Sequence, residues 1–250
     1  MGISTKKMSE WLAANGQAVA NASKATIEDA IRADIGQLYD GVFIMFHTKS
    51  NNIPYAVRVS EWAGYQNRRE VAEGVLLFEG GRQLVIAPTE GTGKRWSSNP
   101  SSADSQDSVQ ISGVITTSNR QVAYNDFAGR ANTSAIINAS TSSNVTNTET
   151  YAAGFCNKYS RVNVNGKGLT AGRWWLPSEG EMAMIWANFD KINFALSKIS
   201  GATQLTQNWY WSSTQNSKDI SWSIHLGYGN IDTYRKNNAY SVRPVSAFLL

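Results

Sequence analysis

Between Trp209 and Phe248 apolar and polar residues alternate with a period of two. Trp222, Ile224, Leu226 and Ile231 fall on one side, and Ser223, His225, Gly227, Tyr228, Asp232, Thr233, Tyr234 and Arg235 on the other. That period belongs to strands with one buried and one open face. Gly229-Asn230 and the Lys236, Asn237, Asn238 cluster are turn formers, so the pattern predicts short antiparallel strands joined by tight connections.

Upstream the pattern changes several times. Residues 1–40 read as helical: Thr26 can cap a helix whose Glu28 and Asp29 favour its positive end, and Ile27, Ile31, Ile35 and Leu38 recur at helical spacing. A single stripe of this kind needs a partner surface, either the following domain or copies of itself. Strands are expected next, at the apolar run Val42 to Phe46 and at Ile53 to Val59. Gly80-Gly81 between Gly74–Phe78 and Leu84–Ala87 signals a hairpin. Residues 89 to about 150, rich in Ser, Thr, Asn, Asp and Gly, read as a long loop-bearing insertion. A short helix over Ala152 to Tyr159 is expected to bury Phe155 and Cys156. Ser178 and Glu181 then form a capping box ahead of the stripe Met182, Ile185, Trp186 and Phe189, read as core. A second helical piece begins at Asp190, carries Ile192, Leu196 and Ile199, and ends at Gly201.

The open side of the C-terminal stretch mixes Tyr with Ser, Gly, Asp, Thr, His and Arg, and lacks Glu. Antibody paratopes use such a mixture of rigid aromatic anchors and small adaptable polar residues; a solvated sheet face is the other reading. The run Tyr210-Trp211-Ser212-Ser213-Thr214, the Trp222-x-Ile224-x-Leu226 spacing, Gly229-Asn230, Lys236-Asn237-Asn238 and Val242-Arg243-Pro244-Val245-Ser246-Ala247-Phe248, preceded by Trp174-Trp175-Leu176-Pro177-Ser178-Glu179-Gly180-Glu181-Met182, together resemble the variable proteins of diversity-generating retroelements. The resemblance implies a C-type lectin-like fold, related to that of formylglycine-generating enzymes, and a variable region over about 209–248. It also implies that Asn codons of the form AAY are rewritten by adenine miscopying. Rewriting the first two bases can give Ser, His, Gly, Tyr, Asp, Thr or Arg but never Trp, Lys, Gln, Glu or Met. Ser223, His225, Gly227, Tyr228, Asp232, Thr233, Tyr234, Arg235 and Tyr240 all belong to the reachable set, and Asn216 and Ile220 are compatible with it. Trp211, Trp222, Gly229, Asn230, Arg243 and Pro244 stand where the family has scaffold residues.

Composition narrows the classes. An apolar fraction of 42% in 250 residues supports a real core, and a net charge of +4 with 17% charged residues contains no basic run that would follow a phosphate backbone. Nucleic acid is therefore not an expected partner. The single Cys156 provides neither a disulfide framework nor a thiolate zinc site. No apolar run is long enough to cross a membrane, and the N-terminus lacks the apolar core of a secretion signal. Gly91-Thr92-Gly93-Lys94 fails as a phosphate loop because Arg95 stands where Ser or Thr should hold magnesium. Asn132, Asn138 and Asn144 head glycosylation sequons that matter only in a eukaryotic secretory route. Asp104, Asp107 and Asp126 have no calcium-loop spacing and read as a solvated surface.

Only His47 and His225 could serve as an imidazole base, and neither has a nucleophile or carboxylate at a motif spacing. The expectation is an α+β protein without catalysis, cofactor or metal, made of a helical attachment or oligomerisation region at 1–40 and a ligand-binding domain of C-type lectin fold at 41–250. Its resemblance, with the missing secretion signal, points to a receptor-binding protein of a phage tail. Expected partners are a host-cell surface protein or glycan, other tail proteins and further copies of the chain, a trimer being common in such fibres. A bacterial surface adhesin of the same fold that is not diversified is the alternative.

Overall fold

A computed structural model describes residues 40–97, 110–139 and 147–248. The expected helix over 1–40, the Asp104 and Asp107 positions and the Asn144 sequon lie outside the described residues, apart from Asp40.

The architecture is a mixed α/β one dominated by two five-stranded sheets. The first contains β1 (Gly41–His47), β2 (Pro54–Arg58), β3 (Gly74–Glu79), β4 (Arg82–Ile86) and β12 (Val245–Ser246), in the order β12-β4-β3-β1-β2 with every neighbour antiparallel. Its β3–β4 hairpin turns on Gly80 and Gly81, both with positive φ (54° and 75°), as a two-residue connection twisted to match the strands requires. The second sheet contains β5 (Gly91–Lys94), β8 (Trp209–Gln215), β9 (Ile220–His225), β10 (Asn230–Arg235) and β11 (Tyr240–Val242), in the order β10-β9-β8-β11-β5. Here β8 and β11 run parallel while the other pairs are antiparallel. A small ladder joins β6 (Arg161–Val162) to β7 (Gly168–Leu169).

The helices are α1 (Trp62–Asn67), α2 (Arg120–Tyr124), α3 (Gly129–Ala139), α4 (Ala152–Lys158), α5 (Glu179–Ala187) and α6 (Phe189–Leu196). Helix α5 packs against β8 and β9, and α6 against β1 and β3, so this pair is wedged between the sheets. Ile44, Val75, Leu77, Ile86, Met182, Ile185, Ile192, Leu196, Tyr210, Trp222 and Ile224 form one buried cluster there. The outer faces are covered as well, by Trp174, Leu169 and Phe248 on the first sheet and by Trp96, Ile136, Cys156 and Leu176 on the second. Burial on both faces explains why β1 and β3 read as continuous apolar runs rather than as alternation.

Arg243-Pro244 carries the chain from the second sheet to the first, between β11 and β12. The Arg243 guanidinium is fully buried and donates to Ala87 O (3.0 Å), Thr203 O (3.1 Å) and a Glu90 Oε2 (2.9 Å) that also accepts from the Tyr210 hydroxyl at 2.5 Å. The pair thus clamps the crossover.

Several expectations need correction. The 89–150 region holds β5, α2 and α3 as well as loops; α2 is announced by Asn119, whose side chain accepts from Gln121 N and Val122 N. Asn132, which heads one of the sequons, is a fully buried residue of α3. Asp126 is buried, accepting from Thr214 Oγ1 (2.6 Å), Asn132 Nδ2 (2.9 Å) and Ala128 N (2.8 Å), instead of lying on a solvated surface. Phe155 is only half-buried. Trp186 is 40% exposed and lies on the backbone of Gly229, outside the core stripe assigned to it.

Candidate ligand-binding face

Register decides which of the predicted residues meet. Across β9 and β10 the facing pairs are His225 with Asn230, Ser223 with Asp232, and Ser221 with Tyr234; the alternate pairs are Ile224 with Ile231, Trp222 with Thr233, and Ile220 with Arg235. Directly opposed residues point to the same side of a sheet, so Asp232 and Tyr234 lie on one face and Thr233 and Arg235 on the other. The sequence reading placed all four on a single open face. A strand's strict alternation forbids that for consecutive residues, and Thr233, Arg235 and Ile220 belong to the Trp222 side. Asn216 lies in the β8–β9 turn, at the end of the hairpin opposite His225 and Tyr228, roughly five residues or ~17 Å along the strand.

On the remaining face the aromatic rings gather around a residue the sequence reading did not place in the site. Trp209 faces His225 across β8 and β9. Its ring is 5.3 Å from His225, 4.9 Å from Tyr234 and 6.4 Å from Tyr240, the first two contacts being edge-to-face. Tyr234 and Tyr240 meet edge-to-face at 5.1 Å, and Tyr240 lies 4.9 Å from the buried Trp211. These arrangements suit aromatic quadrupoles. The cluster continues through His225, stacked on Tyr228 at 4.6 Å and 17°, to the most exposed large hydrophobic side chain among the described residues, Tyr228 at 74%. The signal for Trp209 was available: the period of two that selects Trp211 as an inward residue of β8 puts Trp209 on the same face, where only its neighbours' rings can cover it.

Ser223 is the second correction. It was assigned to the contact set, yet it is fully buried, and its hydroxyl donates to Asp232 O at 3.4 Å. Its row, with Trp211 and Asp232, lies between the row of Trp209 and that of Tyr234, and the two rings meet across it. A small side chain at 223 is what lets them meet.

The frame under the rings is fixed by buried donors. Trp211 Nε1 donates to Lys94 O (2.9 Å), and Trp222 Nε1 to Thr117 O (2.8 Å). The register between β8 and β9 shifts between Trp211 and Gln215. Ser212, Ser213 and Thr214 therefore span a bulge and are all buried: Ser212 Oγ donates to Trp222 O (3.0 Å), Ser213 N to Pro177 O (2.8 Å) and Thr214 Oγ1 to Asp126. Lys236, read as a turn residue, is buried, with Nζ donating to Gln215 Oε1 (2.7 Å) and lying 4.2 Å from the Trp96 ring centre; burial pulls its pKa down to about 7. It anchors the turn that delivers Tyr240. Below β8, at the start of α5, Glu181 accepts from Ser178 N (2.9 Å) and Trp175 Nε1 (3.1 Å), closing the expected box, while the Ser178 hydroxyl donates to Asp126 O (2.7 Å).

At the loop end, Gly229 has a φ of +71°, and an added Cβ there would lie 2.3 Å from the Trp186 ring. Gly227 donates its N–H to His225 Nδ1 (3.1 Å), and a Cβ on it would come 3.0 Å from His225 Cε1, so the residues at 225 and 227 constrain each other.

Charge on the face is sparse. Asp232 is exposed and accepts from Thr233 N at 2.7 Å. Burial, with the Asp232 carboxylate adding to it, raises the pKa of Tyr234; the Tyr240 hydroxyl is raised too, chiefly by burial. Lys94, opposite Tyr240, is turned onto the Phe155 ring (4.6 Å) and Glu149 O (2.7 Å). Arg235 belongs to the other side. The second histidine lies in the other sheet: His47 Nδ1 and N both bond Glu73 (2.8 Å each), whose Oε2 also accepts from Leu169 N (2.9 Å). Glu73 there braces β1 to β7.

Among the described residues no group of three or more His, Cys, Asp or Glu side chains is placed to hold a metal ion, and no helix is long and apolar enough to cross a membrane.

No protein-family model matches the chain, and no curated protein is similar to it. Among solved structures it is similar to a fimbrial protein from Bacteroides ovatus, at 16% identity and a TM-score of 0.47, over 85% of this chain and 44% of that one. The chain thus spans less than half the length of that protein.

Proposed function

We propose that this chain is a ligand-binding protein of C-type lectin fold whose aromatic face is diversified by a retroelement, and that it serves as the receptor-binding protein of a phage tail, recognising a host-surface protein or glycan. The observation that carries this reading is the gathering of His225, Tyr228, Asp232, Tyr234 and Tyr240 on one side of a sheet whose backbone is pinned by Trp211, Trp222 and Arg243. A rigid frame with exchangeable side chains keeps the ordering cost of binding low. Several copies on one tail would add avidity without new contacts. The binding reading, rather than an enzymatic one, is supported by His47, whose ring nitrogen is engaged by a buried structural carboxylate, and by His225, which sits among exchangeable positions.

A second reading, a bacterial surface adhesin with a fixed face, is favoured by one observation: the AAY-reachable residues are split between both faces of the hairpin, and Ser223 among them is buried.

Sequencing the DNA around the gene separates the two. The retroelement reading expects a near-copy of the segment encoding residues 209–248, differing only at adenines, beside a reverse transcriptase gene. Those adenines should fall at the codons of His225, Tyr228, Asp232, Tyr234 and Tyr240 and spare those of Trp209, Trp211 and Trp222. A locus without such a copy overturns diversification and leaves the fixed adhesin.

A further inference from the structure

We infer that the face centred on Trp209 accepts a cationic side chain, Lys or Arg, of a partner polypeptide, with Trp209, Tyr234 and Tyr240 as the aromatic seat and Asp232 as the counter-charge. The inference rests on the binding reading above and adds the chemistry of its ligand. Trp209 meets Tyr234 edge-to-face, Tyr234 meets Tyr240 edge-to-face and Trp209 and Tyr240 are tilted at 36°, with centroids 4.9 to 6.4 Å apart, so the three rings form one cluster on the face that carries Asp232. Attraction of a cation to a ring face operates within about 6 Å, and is strongest for Trp.

Asp232 makes the choice of ligand. In a chain of net charge +4 it is an exposed carboxylate on an otherwise aromatic face, and among the described residues no basic side chain pairs with it. The nearest strand-borne cation on that face, Lys94, is held on Phe155 and a backbone carbonyl. A neutral sugar could stack on the rings and hydrogen-bond the carboxylate, whereas an ammonium or guanidinium adds charge attraction to both. Trp209 is outside the set that adenine miscopying can produce, so every variant would keep the strongest cation-binding ring while Asp232, Tyr234 and Tyr240 change around it. Lysine-type recognition would then be tuned by position 232.

The test uses the full chain, isotope-labelled, with the Trp209 indole N–H signal assigned by Trp209→Phe. Acetyl-lysine amide and acetyl-norleucine amide, which share an alkyl stem and differ in the ammonium, are titrated in turn. The lysine compound is expected to shift the Trp209 signal with roughly tenfold higher affinity than the norleucine compound. Asp232→Asn, an exposed and isosteric change, should remove that preference and its salt sensitivity. Equal affinity for the two compounds, no shift from either, or a shift produced by a methyl glycoside where the lysine compound gives none would each overturn the inference. None of these outcomes bears on the adenine pattern of the flanking DNA, so failure of the lysine preference and failure of the diversification reading are told apart.

Discussion

Replacing Ser223 by Tyr tests whether position 223 is a contact residue or the floor beneath the rings. The codon set allows Tyr there, and an open-face assignment makes the change harmless. In the structure Ser223 has no exposed surface and the Trp209 and Tyr234 rings meet at 4.9 Å across its row. A phenol ring in that space must drive the two rings apart or push β10 off β9. Overpacking of this kind costs about 1–3 kcal/mol. For a chain of this size that lowers the melting midpoint by roughly 2–12 °C. The matched control is Asp232→Tyr on the facing, exposed position, expected to stay within about 0.5 kcal/mol. Thermal melts read by near-ultraviolet circular dichroism check both, since the aromatic signal reports the ring cluster directly. Ser223→Tyr melting with the wild type would refute the burial argument and return 223 to the contact set.

The buried acids predict a pH dependence. Burial, with Asp126 adding to it, raises Glu179 to about 8, and burial raises Glu181 to about 7. For an acid held above its ordinary value the stabilising protonation is complete below about pH 4.5 and is lost as pH rises through the folded value. For Glu179 that loss is of order 5 kcal/mol. Glu179→Gln should therefore flatten the fall in stability between about pH 4.5 and pH 8 seen by urea denaturation; an unchanged slope would count against it. Removing the buried guanidinium with Arg243→Ala strands the Glu90 carboxylate and the carbonyls of Ala87 and Thr203, and should cost about 3–5 kcal/mol in the same assay. Gly229→Ala should destabilise by more than about 1 kcal/mol and enhance Trp186 fluorescence quenching by iodide, because positive φ and the ring both oppose a Cβ. Tyr234 and Tyr240 touch, so their changes to Leu should be non-additive by about 0.5–1.5 kcal/mol in a double-mutant cycle; additive effects would deny the ring contact.

Much of the frame was legible because it rests on local rules. The Gly80-Gly81 turn, the Ser178–Glu181 box and the apolar runs of β1 and β3 each follow from a few neighbouring residues, whereas the helix expected to reach Gly201 ends at Leu196, and Ile199 and Gly201 lie in the turns that follow. The helices α2 and α3 were missed because polar, small-residue composition hides segments whose burial is supplied by distant partners: Asn132 and Asp126 are inside only because Ser213 and Thr214 of β8 come to meet them. Lys236 stands in the expected turn, but its burial there is supplied in the same way. A lysine beside two asparagines looks like a solvated turn until Gln215 and Trp96 are brought to it.

The site shows how a correct period can still give a wrong face. Alternation was applied to the core residues Trp222, Ile224 and Ile231, and everything left over was gathered into one surface, so Thr233 and Arg235 were carried along with Asp232 and Tyr234. Applied to both sets, the same rule sorts them onto two sides and picks Trp209 as the neighbour of Trp211 on the ring-bearing one. Codon reachability, facing and burial are independent filters: the first retains Ser223, Thr233 and Arg235, the second puts Thr233 and Arg235 on the other side, and the third takes Ser223 out of the contact surface. What remains, His225, Tyr228, Asp232, Tyr234 and Tyr240, with Gly227 in the turn beside His225, surrounds Trp209, which the codon set excludes. Under the diversification proposed above, variation at those positions would alter the chemistry around a constant ring rather than the shape of the frame.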